Sequence, residues 1–265
     1  MPPGRPLREP TEAAEEYHLN AVLRVLAASV DVEAVARGWA ERVGLVRKAL
    51  DPDAQAYASG VQLDLAGLTP ALTSIYGDGY LLGLGAAIQQ ARDAGIDVAT
   101  DQGVYAIANG VNWNEWKPGH RAAASQLSGA GGGRGLTQLL ADSGVTISGV
   151  TASTLDDIAR VLAAGAAAGD SVDGIASALR AMLGQRAEVV AHTELARAMG
   201  VASMDTYRAN DIAGKSWLTW KPCPICEQNE AAGVIPLEAA FPGGVQAPPQ
   251  HPRCRCSLAP SYRLP

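Results

Sequence analysis

All four cysteines of this chain lie in its last fifth, where they form two short clusters. Cys223 and Cys226 enclose a Pro-Ile dipeptide, and the second cluster contains His251, Cys254 and Cys256. Cysteines separated by two residues can bind one cation together, and a second cluster further along the chain can complete its coordination. A structural zinc site needs four ligands, so we predict that four of these five residues bind one zinc ion.

Two other interpretations of the cysteines remain open, namely unpaired or disulfide-bonded cysteines and a catalytic zinc site. Residues 1–10 are polar and rich in proline, so we expect no secretory signal. The remainder of the chain has no cysteine, which is unlike a disulfide-based scaffold. A catalytic zinc ion would need a nearby acid or base, but Glu227 and Glu230 form neither an HxE nor an HExxH pattern. The sequence therefore favours structural zinc.

The composition restricts the class of protein. A chain of 265 residues can form one large or two modest domains. It is 48% hydrophobic with a single Phe, which predicts a core of close-packed Ala, Leu and Val. No apolar run approaches the roughly 20 residues of a membrane span, so we expect a soluble protein with no membrane partner. The net charge of −6 argues against a general nucleic-acid coat, but it leaves a local basic patch at Arg253 and Arg255 open.

Residues 1–110 have the pattern of an alanine-rich helical region. Apolar residues recur at helical spacing, and Thr11 is a suitable N-cap for the first helix. The predicted helices span 11–29, 32–50, 54–65 and 70–94. The fourth is interrupted by Gly77, Gly79, Gly83 and Gly85. Since glycine costs up to about 1 kcal/mol inside a helix, these residues predict either close approach to another helix or a break.

Residues 111–265 combine helices with short extended segments. Two short helices are predicted at 120–127 and 136–142. A third helix begins at Thr151 or Ser153, and a fourth begins at Asp170 or Ser171 and is broken at Gly184. A long helix follows at 186–210. Residues 129–135 are predicted to form a flexible loop, and residues 145–147 are predicted to be extended. A strand is predicted at 216–220, with partner strands at 234–236 and 254–258. We therefore predict an α+β fold: a mostly helical N-terminal region, then C-terminal helices plus a small zinc-tied β subdomain at 215–265.

The order of these features resembles the phage Mu F-like minor head protein family over roughly residues 111–265. The resemblance depends on two helices joined at Gly169-Asp170-Ser171, on Thr193-Glu194 in a long helix, and on a Trp-containing strand that leads into the first cysteine pair. The segment His251-Pro-Arg-Cys254-Arg-Cys256 completes it. Two positions differ from residues frequent in the family: His192 replaces an arginine, and Trp220-Lys221-Pro222 lacks an aspartate.

The resemblance implies a minor structural protein of a tailed-phage head, associated with the portal vertex, that acts in head assembly and in DNA packaging or ejection. The partners that it implies are the portal protein and the major capsid protein, and packaged double-stranded DNA stays open as a further partner. We expect several copies per virion, inside the head near the portal vertex, and a location in the host cytoplasm during assembly. The resemblance implies no reaction, so we expect no enzymatic activity and no catalytic residue.

Two alternative functions belong to other classes. The first is a phage-delivered effector enzyme that uses Glu194 and His192. We expect Glu194 instead to accept hydrogen bonds from buried backbone N–H groups or from an arginine such as Arg253 or Arg255. The second is a zinc-containing DNA-binding module that contacts phosphates through the same two arginines. Gly214-Lys215-Ser216 does not indicate a nucleotide site, because the pattern lacks the earlier glycine of a P-loop and a strand follows it.

Overall fold

The computed structural model describes residues 8–46, 53–98, 103–111, 123–124, 127, 134–219 and 223–264. The helices in this part of the chain are α1 (Arg8–Ala28), α2 (Val32–Val46), α3 (Ala54–Ser59), α4 (Leu68–Asp93), α5 (Gly103–Asn109), α6 (Arg134–Ala141), α7 (Ser143–Ala168), α8 (Val172–Ala209) and α9 (Pro224–Ala231). The strands are β1 (Gly214–Leu218), β2 (Ile235–Pro236) and β3 (Ser257–Ser261). The predicted fold class is confirmed: the protein is mostly helical, with a small antiparallel sheet near the C-terminus.

The sheet places β1 between the two shorter partners, in the order β2-β1-β3. Both pairs are antiparallel, and Lys215 lies opposite Ile235 on one side and Pro260 on the other. Trp217 lies opposite Leu258, and both side chains are almost fully buried. The central strand therefore buries Lys215 and Trp217 on one face, and it precedes Cys223 in the sequence.

The chain forms two compact units that are each built from separate segments. The first unit falls within 1–18, 72–142 and 191–265, and the second falls within 19–71 and 143–190. Each unit thus combines segments from both halves of the chain. The predicted domain ranges, 1–110 and 111–265, stay a prediction about sequence organisation.

In the first unit, α4 packs closely against the C-terminal part of α8. A methyl group added at Gly79 would lie 2.8 Å from the Ala198 Cβ, and one added at Gly83 would lie 2.5 Å from the Met199 carbonyl oxygen. Two of the four glycines thus allow the close helix approach that their positions in the sequence predict. The other alternative, a break, does not occur, because α4 is continuous over 26 residues.

In the second unit, aromatic side chains of α2 and α3 form part of the core. The Trp39 indole N–H donates to the Leu162 carbonyl oxygen at 3.0 Å, and the Tyr57 hydroxyl donates to the Val35 carbonyl oxygen at 3.1 Å. The rings of Trp39 and Tyr57 are 5.4 Å apart. These contacts hold the almost fully buried Trp39 and the half-buried Tyr57 in place.

Several predicted boundaries were wrong. Residues 145–147 are helical rather than extended, and α7 begins at Ser143, so neither Thr151 nor Ser153 is its N-cap. Both hydroxyls instead donate to carbonyl oxygens four residues back. Gly184 does not end a helix, because α8 is continuous for 38 residues. The Ser171 cap is confirmed, since its side-chain oxygen accepts the Gly174 N–H at 3.1 Å.

The remaining predictions of helix and loop boundaries are either wrong or fall outside the described residues. The first helix begins at Arg8, so Thr11 lies inside α1 and not at its N-cap. Gly135, predicted in a loop, lies in α6. Most of the predicted helix at 120–127 and of the loop at 129–135 falls outside the described residues. Across the described segments, every helix is too short or too polar to cross a bilayer.

Candidate metal centre

The first cysteine pair lies at the start of α9. Cys223 occupies the N-cap position with an extended backbone, and Pro224 follows in the first turn, where its missing N–H costs nothing. Cys226 lies in the same turn and is almost fully buried. The helix start thus brings both sulfur atoms to one side of the chain.

The second cluster lies in a tight turn before β3. The Cys254 N–H donates to the His251 carbonyl oxygen at 3.1 Å, and Arg253 has a φ of 60°. Cys256 immediately precedes Ser257, the first residue of β3. Because β3 pairs with β1, the sheet brings this turn back towards the start of α9.

The structure brings all five predicted ligands together, in two groups that share Cys226. Within each group the ligand atoms lie within 4.8 Å of one another. The His251 Nε2 atom is 3.2 Å from the Cys223 sulfur and 3.4 Å from the Cys226 sulfur, and the Cys226 sulfur is 4.0 Å from that of Cys254. Tetrahedral zinc with its usual bond lengths requires separations of about 3.6 Å between S and N and about 3.8 Å between two S atoms. The three observed distances lie within about 0.4 Å of these values, so the cluster could hold a metal ion.

The orientation of His251 also fits metal binding. Its Nδ1–H donates to the Pro252 carbonyl oxygen at 2.8 Å. This bond leaves the lone pair of Nε2 directed towards the cysteine sulfurs. Metal-binding histidines are commonly oriented by such a carbonyl partner on the other ring nitrogen.

The hydrogen bonds around the sulfur atoms shift their pKa values in different directions. The Cys223 pKa is lowered, chiefly by the backbone N–H of Cys226. The Cys254 pKa is lowered to about 5, chiefly by a hydrogen bond from Cys256. Burial raises the Cys226 pKa to about 12. The His251 pKa is raised: burial lowers it, but the Pro252 carbonyl and neighbouring thiolates outweigh that effect. A buried thiol beside thiolates is the donor set that a soft cation would stabilise.

The disulfide interpretation does not describe this structure. The four cysteines are all unbridged, and the Cys226 and Cys254 sulfurs are 4.0 Å apart. A disulfide requires a sulfur separation of about 2.05 Å. The cluster has the spacing of metal ligands rather than of oxidised cysteines.

A buried amide supports the loop between the two clusters. The fully buried Asn229 side chain donates to the Gln250 side-chain oxygen at 3.0 Å and accepts the Gly243 N–H at 2.8 Å. The Gln250 side chain in turn donates to the Gly243 carbonyl oxygen at 3.1 Å. Sequence reasoning missed Asn229, since a polar residue in a short helix carries no signal of burial.

Glu194 lies on α8, where its carboxylate has a tyrosine and an arginine as partners. Its Oε2 accepts the Tyr76 hydroxyl at 3.0 Å and the Arg197 Nε–H at 3.0 Å. The expectation of an arginine partner is confirmed, and the arginine that the structure gives is Arg197. The pair with Arg197 could have been predicted, because Arg197 lies three residues after Glu194 on the same helix. The pair with Tyr76 could not, because Tyr76 is 118 residues away in the sequence.

The two residues before Glu194 connect α8 to the metal-binding turn. The Thr193 hydroxyl oxygen accepts the Arg253 N–H at 3.2 Å. The His192 Nε2 atom lies 3.4 Å from the Glu15 carboxylate, and the Arg255 guanidinium lies 3.5 Å from the same carboxylate. Sequence reasoning missed Glu15, because nothing in α1 marks it as a partner of residues 177 and 240 positions later.

The comparisons with known proteins agree with the resemblance seen in the sequence. Residues 156–259 match a family model described as Phage Mu protein F like protein. The matched segment is shorter than the predicted range of 111–265, but it contains all five candidate ligands. Searches of curated proteins and of solved structures found no match. The C-terminal part of the chain is thus similar to the Phage Mu F-like family, and this similarity suggests a phage head morphogenesis protein.

Proposed function

We propose that this chain is a minor structural protein of a tailed-phage head and acts in head morphogenesis. The family match over residues 156–259 carries the proposal, because it covers the long helix α8, most of the sheet and the whole Cys/His cluster. The virion is therefore the proposed location. Within it, we place the protein inside the head near the portal vertex, after a stage in the host cytoplasm during assembly.

The finer parts of the proposal concern partners and timing. The portal protein and the major capsid protein are the proposed partners, with several copies of this chain per virion. The role extends to DNA packaging or ejection, in which packaged double-stranded DNA is a further candidate partner. These parts come from the family resemblance.

The proposed cofactor is one structural zinc ion held by four of Cys223, Cys226, His251, Cys254 and Cys256. A bound zinc ion would supply a crosslink between the start of α9 and the turn before β3. The small sheet has few apolar residues of its own, and a subdomain as small as 215–265 often needs a metal to fold. The fit of the donor distances to tetrahedral zinc supports this assignment.

The alternatives receive less support from the site. Both Glu194 and His192 are buried, with exposures of 6% and 4%, and Glu194 is engaged by Tyr76 and Arg197. These contacts support a structural role and the proposal that the protein is not an enzyme. The Arg255 guanidinium is shared with Glu15, which weakens the case for a phosphate-binding patch.

The proposal predicts zinc in the purified protein and the protein in purified heads. Mass spectrometry should find about one zinc ion per chain, and the chain should co-purify with virion heads after the tails are removed. Replacing Cys223 or Cys226 by Ser should unfold the C-terminal part, which far-UV circular dichroism and thermal melting would detect. Ser257→Ala, next to the cluster but outside the donor set, is the matched control.

Two results would contradict different parts of the proposal. A protein absent from heads would remove the morphogenesis assignment, whatever its metal content. Melting curves unchanged in the Cys223 and Cys226 variants would remove the structural role of zinc, even if the protein were found in heads.

A further inference from the structure

The turn that carries His251 has an unusual backbone conformation. The Cys254 N–H donates to the His251 carbonyl oxygen at 3.1 Å, which closes a turn with Pro252 and Arg253 at its centre. Arg253 has a φ of 60°. A proline followed by a residue with positive φ is typical of a type II turn, in which the second central position usually holds glycine. Arginine has no such preference, so contacts outside the turn must stabilise this conformation.

Both polar ends of the peptide group between Pro252 and Arg253 are hydrogen-bonded. Its carbonyl oxygen accepts the Nδ1–H of His251 at 2.8 Å, and its N–H donates to the hydroxyl oxygen of Thr193, on α8, at 3.2 Å. The C=O and N–H of a trans peptide group point in opposite directions, so the two bonds together fix the orientation of the group. In a type I turn, where Arg253 would have a negative φ, the same group points the other way, away from both partners.

The orientation of this peptide group determines where the His251 ring points. With its Nδ1–H held by the Pro252 carbonyl, the Nε2 atom lies 3.2 Å from the Cys223 sulfur and 3.4 Å from the Cys226 sulfur. A hydrogen-bond partner on the other ring nitrogen fixes both the orientation and the tautomer of a metal-binding histidine. Thr193 is therefore connected to the His251 ring through a single peptide group.

We propose that Thr193 is a positioning residue for the zinc centre, because its hydroxyl selects the turn conformation in which the Pro252 carbonyl orients His251. This inference rests on the proposed zinc centre and adds to it a residue of α8 that is not a candidate ligand. Without the Thr193 bond, the metal-free turn would populate the alternative conformation, and zinc binding would have to reverse that change. One hydrogen bond corresponds to about 2- to 10-fold in an equilibrium constant, so zinc affinity should fall by this factor when the acceptor is removed.

The first test compares two variants of the full chain at position 193. Thr193→Val keeps the shape of the side chain but removes the acceptor, whereas Thr193→Ser keeps the acceptor. Zinc affinity, measured by competition with a chromophoric chelator, should fall by about 2- to 10-fold in the valine variant and stay near the wild-type value in the serine variant. Both variants should still bind about one zinc ion per chain.

A second change, in the turn itself, separates this role from a general effect on α8. Glycine adopts a positive φ without strain, so Arg253→Gly favours the same turn without help from Thr193. Adding Arg253→Gly to Thr193→Val should therefore recover most of the lost affinity. A loss of packing around Thr193 would not be corrected by a glycine in the turn.

A measurement on the wild-type protein does not require any variant to fold. In the zinc-loaded form, the Arg253 amide should exchange slowly with solvent because it donates to Thr193, and two-dimensional NMR would resolve it. The inference alone would be overturned by rapid exchange of this amide, by wild-type affinity in Thr193→Val, by equal losses in the valine and serine variants, or by no recovery with Arg253→Gly. Wild-type protein that binds no zinc would instead overturn the proposed zinc centre itself.

Discussion

Lys215 has the most unusual environment of any charged residue in the described structure. Its side chain is fully buried in β1, with its ammonium 3.7 Å from the Met204 sulfur and 5.5 Å from the centre of the Phe241 ring. Burial lowers the Lys215 pKa to about 8; the Glu238 carboxylate opposes the shift, and the Arg208 guanidinium adds to it. Sulfur and an aromatic ring compensate only partly for lost water.

This environment predicts a specific dependence of stability on pH. Because the folded-state pKa is below the ordinary value of 10.5, the unfolded chain binds more protons between those two pH values. The free energy of unfolding should therefore rise as pH increases from about 8 to about 10.5. Replacing Lys215 by Met should stabilise the protein by up to about 2 kcal/mol at neutral pH.

The measurement is urea unfolding of both proteins at about pH 7 and about pH 9.5, where the advantage of Lys215→Met should shrink. The comparison cancels the titration of the cysteines, which both proteins share. An advantage that is equal at the two pH values would show that the Lys215 charge is not the cause.

At the scale of secondary structure, glycine residues in α4 allow this helix to pack closely against α8. Gly79 and Gly83 face Ala198 and Ala202, one turn apart on each helix. Small residues at this spacing let two backbones approach, which stabilises the pair by dispersion over a long contact. The cost of glycine in a helix is thereby offset by packing.

Gly83→Ala should destabilise the protein by about 1 to 3 kcal/mol, because the new methyl group would overlap the backbone of α8. Gly184→Ala is the matched control, since it also lies in a helix but has no atom within 4 Å of the added carbon. It should be neutral or stabilising by up to about 1 kcal/mol. Thermal melting compares the two, and similar effects at both positions would contradict the packing argument.

Helix type was more predictable than helix boundaries. The periodic apolar residues predicted helices where α2 and α8 lie, although α8 was predicted as two helices with a break at Gly184. The strand before Cys223 was also predicted. The extended segment predicted at 145–147 was wrong, because β-branched residues favour strands locally but are tolerated in a helix. Such a choice depends on tertiary packing, which a local pattern does not contain.

At the scale of the whole molecule, zinc should stabilise one unit more than the other. All five candidate ligands belong to the first unit, and the second contains none. Removing the metal with a chelator should increase hydrogen exchange in 214–261 and leave the segment around Trp39 protected. Hydrogen-exchange mass spectrometry with and without chelator measures both regions, and equal loss of protection would contradict a local role for zinc.

The sequence by itself determined the α+β class, the resemblance to the Mu F-like family and the five candidate ligands, because these depend on local spacing and residue chemistry. Only the tertiary structure decided which residues from distant parts of the chain contact one another. Glu15, Tyr76 and Asn229 contact groups far away in the sequence, and the pairing of β1 with β3 places the two cysteine clusters together. Such contacts arise from chain packing over long separations, so no local pattern specifies them.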